Sequence, residues 1–315
     1  MDSSELQKLA EHTRSMREAG FALLIASGLL AFFLFMPVGA RPAPSTTATV
    51  ATSTAPDAFA NVPLEAKAAI VYDLATHRVL YAKNADAQLP LASLTKLLTV
   101  YAALAQLSPN TPITIPADAT RIDAPRAFNE GQTFSLSDLA RLTLTASLND
   151  GAIAISEATA ARQNISQNEM LAGAAAALNL SQTYAVNGNG LDMSGTVSGG
   201  YGSAHDLAVL AGALVAQAPS ISAATTASTA QAVSEGGTSF TVKNTDPMVN
   251  TIPRLLLSKT GYTDLAGGNL ALVFDVGIGH PVAVVVLGSS QKARFTDGTA
   301  LVAAALAHFA GVAAL

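Results

Sequence analysis

The sequence predicts an α+β fold in which strands from both ends of the main domain form one antiparallel sheet around an inserted helical subdomain. Strand-like segments lie within residues 68–82, helical spacing dominates residues 93–216, and three more strand-like segments follow residue 238. Strands that bracket a helical middle are most simply joined in a single sheet. An apolar segment near the N-terminus predicts an additional transmembrane helix.

The apolar segment covers residues 19–40 and contains no charged side chain. A helix of roughly 20 residues, at about 1.5 Å per residue, crosses a ~30 Å hydrocarbon core. Lys8, Arg14 and Arg17 precede the segment, so the positive-inside rule places residues 1–18 in the cytoplasm. We expect a single-pass signal-anchor at 19–40, with the rest of the chain outside the cytoplasm.

Two alternatives to an anchor remain for this segment. One is a cleaved signal peptide with Val38 and Ala40 at its cleavage site, and the other is a buried core helix. The stretch at 41–62 is rich in Pro, Ala, Ser and Thr and predicts a flexible linker, because it cannot bury enough apolar surface to offset ordering. Residues 63–315 then form the main domain.

Composition excludes several classes of protein. Half of the 315 residues are hydrophobic and 12% are charged, which is enough apolar material for a sizeable core. The net charge of −5 lacks the basic footprint of a nucleic-acid-binding protein. The chain has no cysteine and its histidines lack the H-E-x-x-H spacing, so we expect no disulfide, no metal site and no cofactor.

The elements of the main domain follow from local pattern. Residues 68–73, 78–82, 238–243, 270–276 and 282–287 are rich in β-branched and aromatic residues, which is typical of strands. Apolar residues at helical spacing predict helices over 93–107, 134–156 (in segments), 168–180, 205–216 and 298–309. Ser135 and Asp138 have the spacing of a helix N-cap.

Three short motifs occur in order along the domain. Ser93-Leu94-Thr95-Lys96 is S-x-x-K, Ser147-Leu148-Asn149 is S-x-N, and Lys259-Thr260-Gly261 is K-T-G. The first two also occur elsewhere by chance, for example as S-x-x-K at 289–292. Ser93 opens a predicted helix, however, so Lys96 lies one turn on along the same face, within reach of the hydroxyl.

Each motif residue suits a step of acyl transfer. Ser93 is the candidate nucleophile, and Lys96 can act as its base if burial and Lys259 lower its pKa. Ser147 can relay a proton to a departing amine. Asn149 can bind Lys96 and a substrate amide.

The K-T-G residues suit substrate binding. Lys259 and the hydroxyl of Thr260 can hold a carboxylate. Gly261 lacks a Cβ and lets an extended substrate lie against a strand edge.

With these motifs in order, residues 63–310 resemble the serine D-alanyl-D-alanine carboxypeptidases, the low-molecular-mass penicillin-binding proteins of the β-lactamase-like superfamily. The resemblance extends to the stretches at 130–139, 190–192, 203–208, 244–245, 259–267 and 294–297. It implies a β-lactamase/transpeptidase-like fold in a bacterial cell membrane. It also implies acylation of Ser93 by a peptidoglycan pentapeptide ending in D-Ala-D-Ala, covalent inhibition by β-lactams, and an oxyanion hole formed by the N–H groups of Ser93 and Tyr262.

Two departures and three alternatives accompany this resemblance. Leu148 replaces a small residue and predicts a narrower cleft, and Leu257-Ser258 replaces a glycine-containing pair before Lys259. A serine β-lactamase of class A has a glutamate three residues before a Leu-Asn pair, where this chain has Ala175. A D,D-endopeptidase or transpeptidase, and an inactive wall-binding or penicillin-sensing module, remain open.

Overall fold

A computed structural model describes residues 57–311 and, near the N-terminus, residues 16, 17, 20, 21, 23–25 and 27. The described strands are β1 (Ala68–Asp73), β2 (Arg78–Lys83), β3 (Leu89–Pro90), β4 (Pro112–Thr114), β5 (Thr133–Ser135), β6 (Tyr184–Ala185), β7 (Gly200–Gly202), β8 (Thr229–Val233), β9 (Ser239–Lys243), β10 (Leu255–Thr263), β11 (Gly267–Asp275) and β12 (Pro281–Ser289). The described helices are α1 (Thr95–Leu104), α2 (Leu136–Ala146), α3 (Asn149–Gln163), α4 (Gln167–Ala177), α5 (Ala204–Gln217), α6 (Pro219–Ala224) and α7 (Ala293–Ala310), with short 3-10 helices at Ala92–Leu94 and Ala119–Arg121.

The main sheet has the order β10-β11-β12-β1-β2 and is antiparallel throughout. Successive side chains of a strand point to opposite faces of the sheet. Ile70 and its partner Val285 therefore belong to one core beneath the inserted helices, whereas Val71 and Val284 belong to a second core covered by α7. The prediction of one sheet built from both ends of the domain is confirmed.

The segment between β2 and β10 forms the inserted helical subdomain. It contains α1–α6 and three small sheets, β3-β7-β6, β4-β5 and β8-β9. Ser135 caps α2 by accepting the backbone N–H of Asp138 at 3.1 Å, as its spacing predicts. Strand β10 is the edge of the main sheet and lies against the 3-10 helix Ala92–Leu94. The functional motifs meet at this junction.

Strand β10 is the largest difference from the predicted elements. Residues 255–263 were not predicted as a strand, because Ser258, Lys259 and Thr260 are polar. All three are buried in the structure, where tertiary partners satisfy them. A polar strand of this kind has no apolar pattern by which sequence could identify it.

The chain divides into two compact units, residues 1–53 and 54–315. Most of the predicted transmembrane segment 19–40 and residues 41–56 of the predicted linker lie outside the described residues. No helix among the residues that are described is both long and apolar enough to cross a membrane. Residues 57–62, assigned above to the linker, instead pack on the domain: Ala58 and Phe59 are buried, and the Phe59 ring stacks on Tyr81 with centroids 5.7 Å apart.

Candidate active site

Ser93 lies in the 3-10 helix that leads into α1. Ala92, the residue before it, has a positive φ of 49°, a conformation that costs energy for a residue with a Cβ. Gly190 packs against this turn so closely that a Cβ would lie 2.0 Å from the Ala92 carbonyl oxygen. The turn therefore holds Ser93 partly exposed while Leu94 and Lys96 point into the interior.

Lys96 is fully buried and makes three hydrogen bonds. Its Nζ donates to Ser93 Oγ at 2.8 Å, to Asn149 Oδ1 at 2.8 Å and to the backbone carbonyl of Asn189 at 2.7 Å. Burial lowers the pKa of Lys96 to about 7, and the negative charge of Asp150 opposes this effect. An amine with this pKa is partly neutral near pH 7 and can accept the proton of the Ser93 hydroxyl.

The second motif, Ser147-Leu148-Asn149, lies at a break between helices α2 and α3. Helix α2 ends at Ala146, and Ser147 adopts the left-handed conformation with φ 60°. Asn149, the first residue of α3, donates its Nδ2 to the carbonyl of Asp123 at 2.9 Å, which fixes its Oδ1 toward Lys96. Leu148 is only 4% exposed and belongs to the core beneath the helices, so it does not narrow the cleft as its size predicts.

Asp150 follows this motif and is also buried. Its carboxylate accepts the backbone N–H groups of Ala127, Phe128 and Gly151 at 2.7–2.8 Å. Burial raises the pKa of Asp150, and these hydrogen bonds lower it. These contacts indicate a structural role for Asp150, which holds the loop before β5 while its charge acts on Lys96.

Lys259 extends from β10 toward the same point. Its Nζ donates to Ser147 Oγ at 2.9 Å and to the carbonyl of Thr260 at 2.7 Å. Burial lowers the pKa of Lys259 well below its ordinary value, and the positive charges of Lys96 and Arg294 lower it further. The two lysines are thus joined to the two serines, each lysine to one hydroxyl.

The neighbouring residues of β10 shape the approach to Ser93. A Cβ on Gly261 would lie 2.8 Å from the carbonyl oxygen of Leu91 and 3.3 Å from the backbone nitrogen of Ser93. Gly261 is therefore needed for close contact between β10 and the nucleophile turn, a packing role in addition to the predicted substrate contact. Tyr262 is 45% exposed beside it.

Several residues that complete the site have no role predicted from the sequence. Arg294 Nη1 donates to the Gly261 carbonyl at 2.6 Å, and the hydroxyls of Thr245 and Thr260 lie 2.6 Å apart. The sequence feature that could have identified Thr245 and Arg294 is their position in the family-like stretches 244–245 and 294–297. The contact of Asn189 with Lys96 uses a backbone carbonyl, so no side-chain pattern could have identified it.

The competing sequence candidates lie elsewhere. In the second S-x-x-K, Ser289 donates its Oγ to Asp297 at 2.7 Å and Lys292 is exposed. His205, which lies in the family-like stretch 203–208, pairs with Asp86 at 3.3 Å and packs on the ring of Tyr72, and both contacts are structural. Within residues 57–311 and the described N-terminal positions, no cluster of His, Asp or Glu could hold a metal ion.

Comparison with known proteins agrees with this geometry. The sequence profile of peptidase S11, D-alanyl-D-alanine carboxypeptidase, matches residues 51–291. The D-alanyl-D-alanine endopeptidase of Pseudomonas aeruginosa is 30% identical over 263 residues, which cover 80% of this chain and 82% of that protein. D-alanyl-D-alanine carboxypeptidase DacD of Escherichia coli is 30% identical over 243 residues, covering 71% of this chain and 59% of that relative.

A solved structure supports the same assignment. Penicillin-binding protein D2 of Listeria monocytogenes, in its ampicillin-bound form, is 27% identical to the chain. The two superimpose with a TM-score of 0.66 over 78% of this chain and 98% of that one. The similarity of the two folds and the match of the family profile to residues 51–291 lead to one conclusion: the chain belongs to the peptidase S11 family of D-alanyl-D-alanine carboxypeptidases.

Proposed function

We propose that this protein is a serine D-alanyl-D-alanine carboxypeptidase that removes the terminal D-Ala from peptidoglycan stem peptides through an acyl-enzyme on Ser93. The observation that carries the proposal is the chain of contacts from Ser93 to Lys96 and Asn149, with Lys259 and Ser147 beside it. Family membership supplies the substrate class. The chain spans about three fifths of the length of the E. coli relative, so the substrate and activity are assigned here as proposals.

Acylation starts with neutral Lys96. Its Nζ takes the proton of Ser93 Oγ as the oxygen attacks the carbonyl of the penultimate D-Ala. The C–O bond to Ser93 forms, the peptide C–N bond breaks, and the leaving amine receives a proton through Ser147. A pKa of about 7 for Lys96 keeps a useful fraction of the amine neutral at neutral pH.

Substrate binding uses the free edge of β10. An extended peptide can add to this edge strand by backbone hydrogen bonds, as peptides do on other exposed sheet edges. Lys259 and Thr260 hold the terminal carboxylate, and the N–H groups of Ser93 and Tyr262 stabilise the developing oxyanion. Asn149 contacts the substrate amide.

Inhibition by β-lactams follows from the same intermediate. A β-lactam acylates Ser93 but keeps its leaving group attached, so the acyl-enzyme persists. Among the described residues, the hydroxyl of Ser93 has one hydrogen-bond partner, Lys96, and no carboxylate contacts it. A dedicated deacylating glutamate of the class A β-lactamase type is therefore not part of the proposal, and Lys96 activates the hydrolytic water.

Release of D-Ala from an acylated tripeptide ending in D-Ala-D-Ala tests this function. The wild-type protein is expected to release D-Ala, with the release blocked by benzylpenicillin. The Ser93→Ala variant is the control and is expected to release none. Absence of release by wild-type protein that still becomes acylated by penicillin would contradict a carboxypeptidase.

A D,D-endopeptidase is the second candidate, favoured by the endopeptidase name of the P. aeruginosa relative. The same acyl-enzyme forms when the leaving amine belongs to a cross-linked stem peptide rather than to free D-Ala. Parallel assays on a cross-linked muropeptide dimer and on a pentapeptide monomer separate the two. Faster cleavage of the dimer would favour the endopeptidase.

We also propose that the domain is extracytoplasmic and anchored in a bacterial cell membrane by residues 19–40. The support is the uncharged character of this segment and the positive residues Lys8, Arg14 and Arg17 before it. An alkaline phosphatase fusion after residue 62 is expected to be active and to sediment with membranes after carbonate washing. Activity in the soluble fraction would indicate cleavage, and an inactive fusion would contradict export.

A further inference from the structure

One end of the main sheet collects turns that lie away from the nucleophile. Because neighbouring strands are antiparallel, β1 and β11 end where β2, β10 and β12 begin. The turns 74–77 and 276–280 therefore lie at the same end as Arg254, the residue before β10. Gly261, which packs on the nucleophile turn, is six residues beyond Leu255, and this is roughly 20 Å at the rise of a strand. This end is separate from the catalytic site.

Large apolar side chains are exposed at this end of the sheet. Ile278, in the turn between β11 and β12, is fully exposed, and Val79 of β2 is half-exposed. Phe309 of α7 is partly exposed, and its ring contacts that of His280 with centroids 5.0 Å apart, so the end of α7 lies at the same place. A single exposed apolar residue is ordinary, but a group of them marks an interaction surface.

An apolar cavity of about 500 Å³ opens beside these side chains. Leu74, Val215 and Leu256 are among the residues that line it, and Gly279 joins its wall to the turn that carries Ile278. Burial of such a surface by an apolar chain is favourable, because it removes apolar area from water.

The charged side chains around this apolar surface are cationic. Arg78 and Arg254 are both exposed. The four segments that form this end of the domain contain no Asp or Glu: 74–79, 251–256, 276–280 and 305–311. The flanking carboxylates of Asp73 and Asp275 accept backbone N–H groups of the turns that follow them. Together the exposed side chains form a basal surface: Arg78, Val79, Arg254, Ile278 and Phe309.

The chain enters the domain beside the basal surface. The Phe59 ring has its centroid 5.7 Å from that of His308, which lies in the last turn of α7. From there the chain runs along α7 to Ala66, whose backbone N–H donates to Asp297 near the start of that helix. The next step rests on the proposed membrane attachment by residues 19–40, which brings a lipid surface within reach of this end of the domain.

We propose that the basal surface docks on an anionic lipid bilayer. Ile278 and Phe309 enter the boundary between headgroups and acyl chains, and an acyl chain covers the apolar cavity. Arg78 and Arg254 pair with lipid phosphates, because basic side chains are attracted to anionic membranes. Docking directs the nucleophile turn away from the lipid, at roughly 20 Å from the basal surface.

A fluorophore on the β11–β12 turn tests this docking, because the chain has no cysteine of its own. The full chain with Ile278→Cys carries a polarity-sensitive fluorophore and is reconstituted in vesicles of equal parts phosphatidylcholine and phosphatidylglycerol. We expect its emission to shift to the blue and to be quenched by lipids with brominated acyl chains. Val233→Cys, an exposed position on β8 of the inserted subdomain, is the control and is expected to keep the emission of a label in water.

Removal of one charge tests the anionic character of the partner. In the labelled Ile278→Cys protein, Arg78→Gln is expected to lower the ratio of docked to undocked label about fivefold, the scale of one basic residue near an anionic membrane. Lys292→Gln removes an exposed charge at the start of α7 and is expected to leave the ratio unchanged. Docking is expected to weaken with added salt and on vesicles of phosphatidylcholine alone.

The outcomes separate the basal surface from the anchor. Protein that stays on vesicles after carbonate washing, while the Ile278→Cys label has the emission of a label in water, would overturn the docking alone. A quenched label on protein that carbonate releases would support the docking and contradict the anchor. Protein that does not bind vesicles would contradict both. Equal docking with and without phosphatidylglycerol, or a shift that follows protein concentration rather than lipid, would overturn the anionic bilayer as the partner.

Discussion

At the scale of single residues, the proposed acylation of Ser93 depends on Lys96. Its Nζ contacts the Ser93 hydroxyl, an amide oxygen and a backbone carbonyl, and it has no exposed surface. The Lys96→Met variant keeps a long apolar stem but removes the base. We expect the rate of acylation by a fluorescent penicillin to fall by at least about 100-fold, the low end of the contribution of a positioned general base.

Lys292 offers a matched control for that variant. It is the lysine of the second S-x-x-K sequence and is exposed to solvent. Lys292→Met is expected to label at the wild-type rate. Labelling of Lys96→Met as fast as Lys292→Met would show that another group activates Ser93.

The pKa of Lys96 gives a pH dependence with a definite sign. Burial lowers this pKa to about 7, and only the neutral amine can accept a proton from Ser93. The neutral fraction rises with pH, so the acylation rate is expected to increase from pH 5 and to reach a plateau above pH 8, with a midpoint near 7. Stopped-flow measurement with a chromogenic β-lactam checks this. A rate that is constant between pH 5 and 9, or that falls with rising pH, would contradict the role.

At the scale of elements, the contact between β10 and the 3-10 helix Ala92–Leu94 aligns the nucleophile with the substrate edge. The Gly261→Ala variant would place a methyl group 2.8 Å from the Leu91 carbonyl, and backbone atoms cannot move aside cheaply. We expect acylation to slow by more than about tenfold, since small displacements of reacting groups have large effects on rate.

Gly277→Ala is the control for added bulk, because a Cβ there has no atom within 4 Å. It is expected to acylate at the wild-type rate. Wild-type labelling of Gly261→Ala would show that β10 and the nucleophile turn need not touch.

The element scale also shows where sequence pattern succeeds and fails. Strands β1, β11 and β12 were predicted because both of their faces are buried, which gives continuous apolar runs such as Val282–Leu287. Strand β10 was missed because its buried residues are polar and are satisfied by residues far away in sequence. Thr260, for example, pairs with Thr245, and Lys259 pairs with Ser147.

At the scale of the whole molecule, the two ends of the domain are joined by one carboxylate. Asp297 of α7 is buried and accepts the backbone N–H groups of Glu65 and Ala66 and the hydroxyl of Ser289. The Asp297→Ala variant leaves these donors without a partner. We expect the free energy of unfolding to fall by about 3 kcal/mol, measured by urea denaturation.

An exposed carboxylate provides the comparison. Glu235→Ala is expected to change the free energy of unfolding by less than about 0.5 kcal/mol. A similar small change for Asp297→Ala would show that the two chain ends are held by the sheet alone.

Five of the eight site residues predicted from sequence make the central hydrogen bonds of the site, in two separate groups. Lys96 contacts Ser93 and Asn149, and Lys259 contacts Ser147. Their side chains could be predicted because each belongs to a short motif with a chemical task. The contacts of backbone carbonyls, such as that of Asn189 with Lys96, depend on the path of the main chain and not on the type of side chain. The amino-acid sequence therefore does not indicate them.

Covalent labelling by a fluorescent penicillin tests the central claim most directly. The purified chain is mixed with one equivalent of the reagent, the bound label is followed for an hour, and Ser93→Ala is the control. If Ser93 forms a slowly hydrolysed acyl-enzyme, the label requires Ser93 and persists throughout the hour. Label that disappears while penicillin is consumed would indicate a β-lactamase, and absence of label would contradict the acyl-enzyme and favour an inactive binding module.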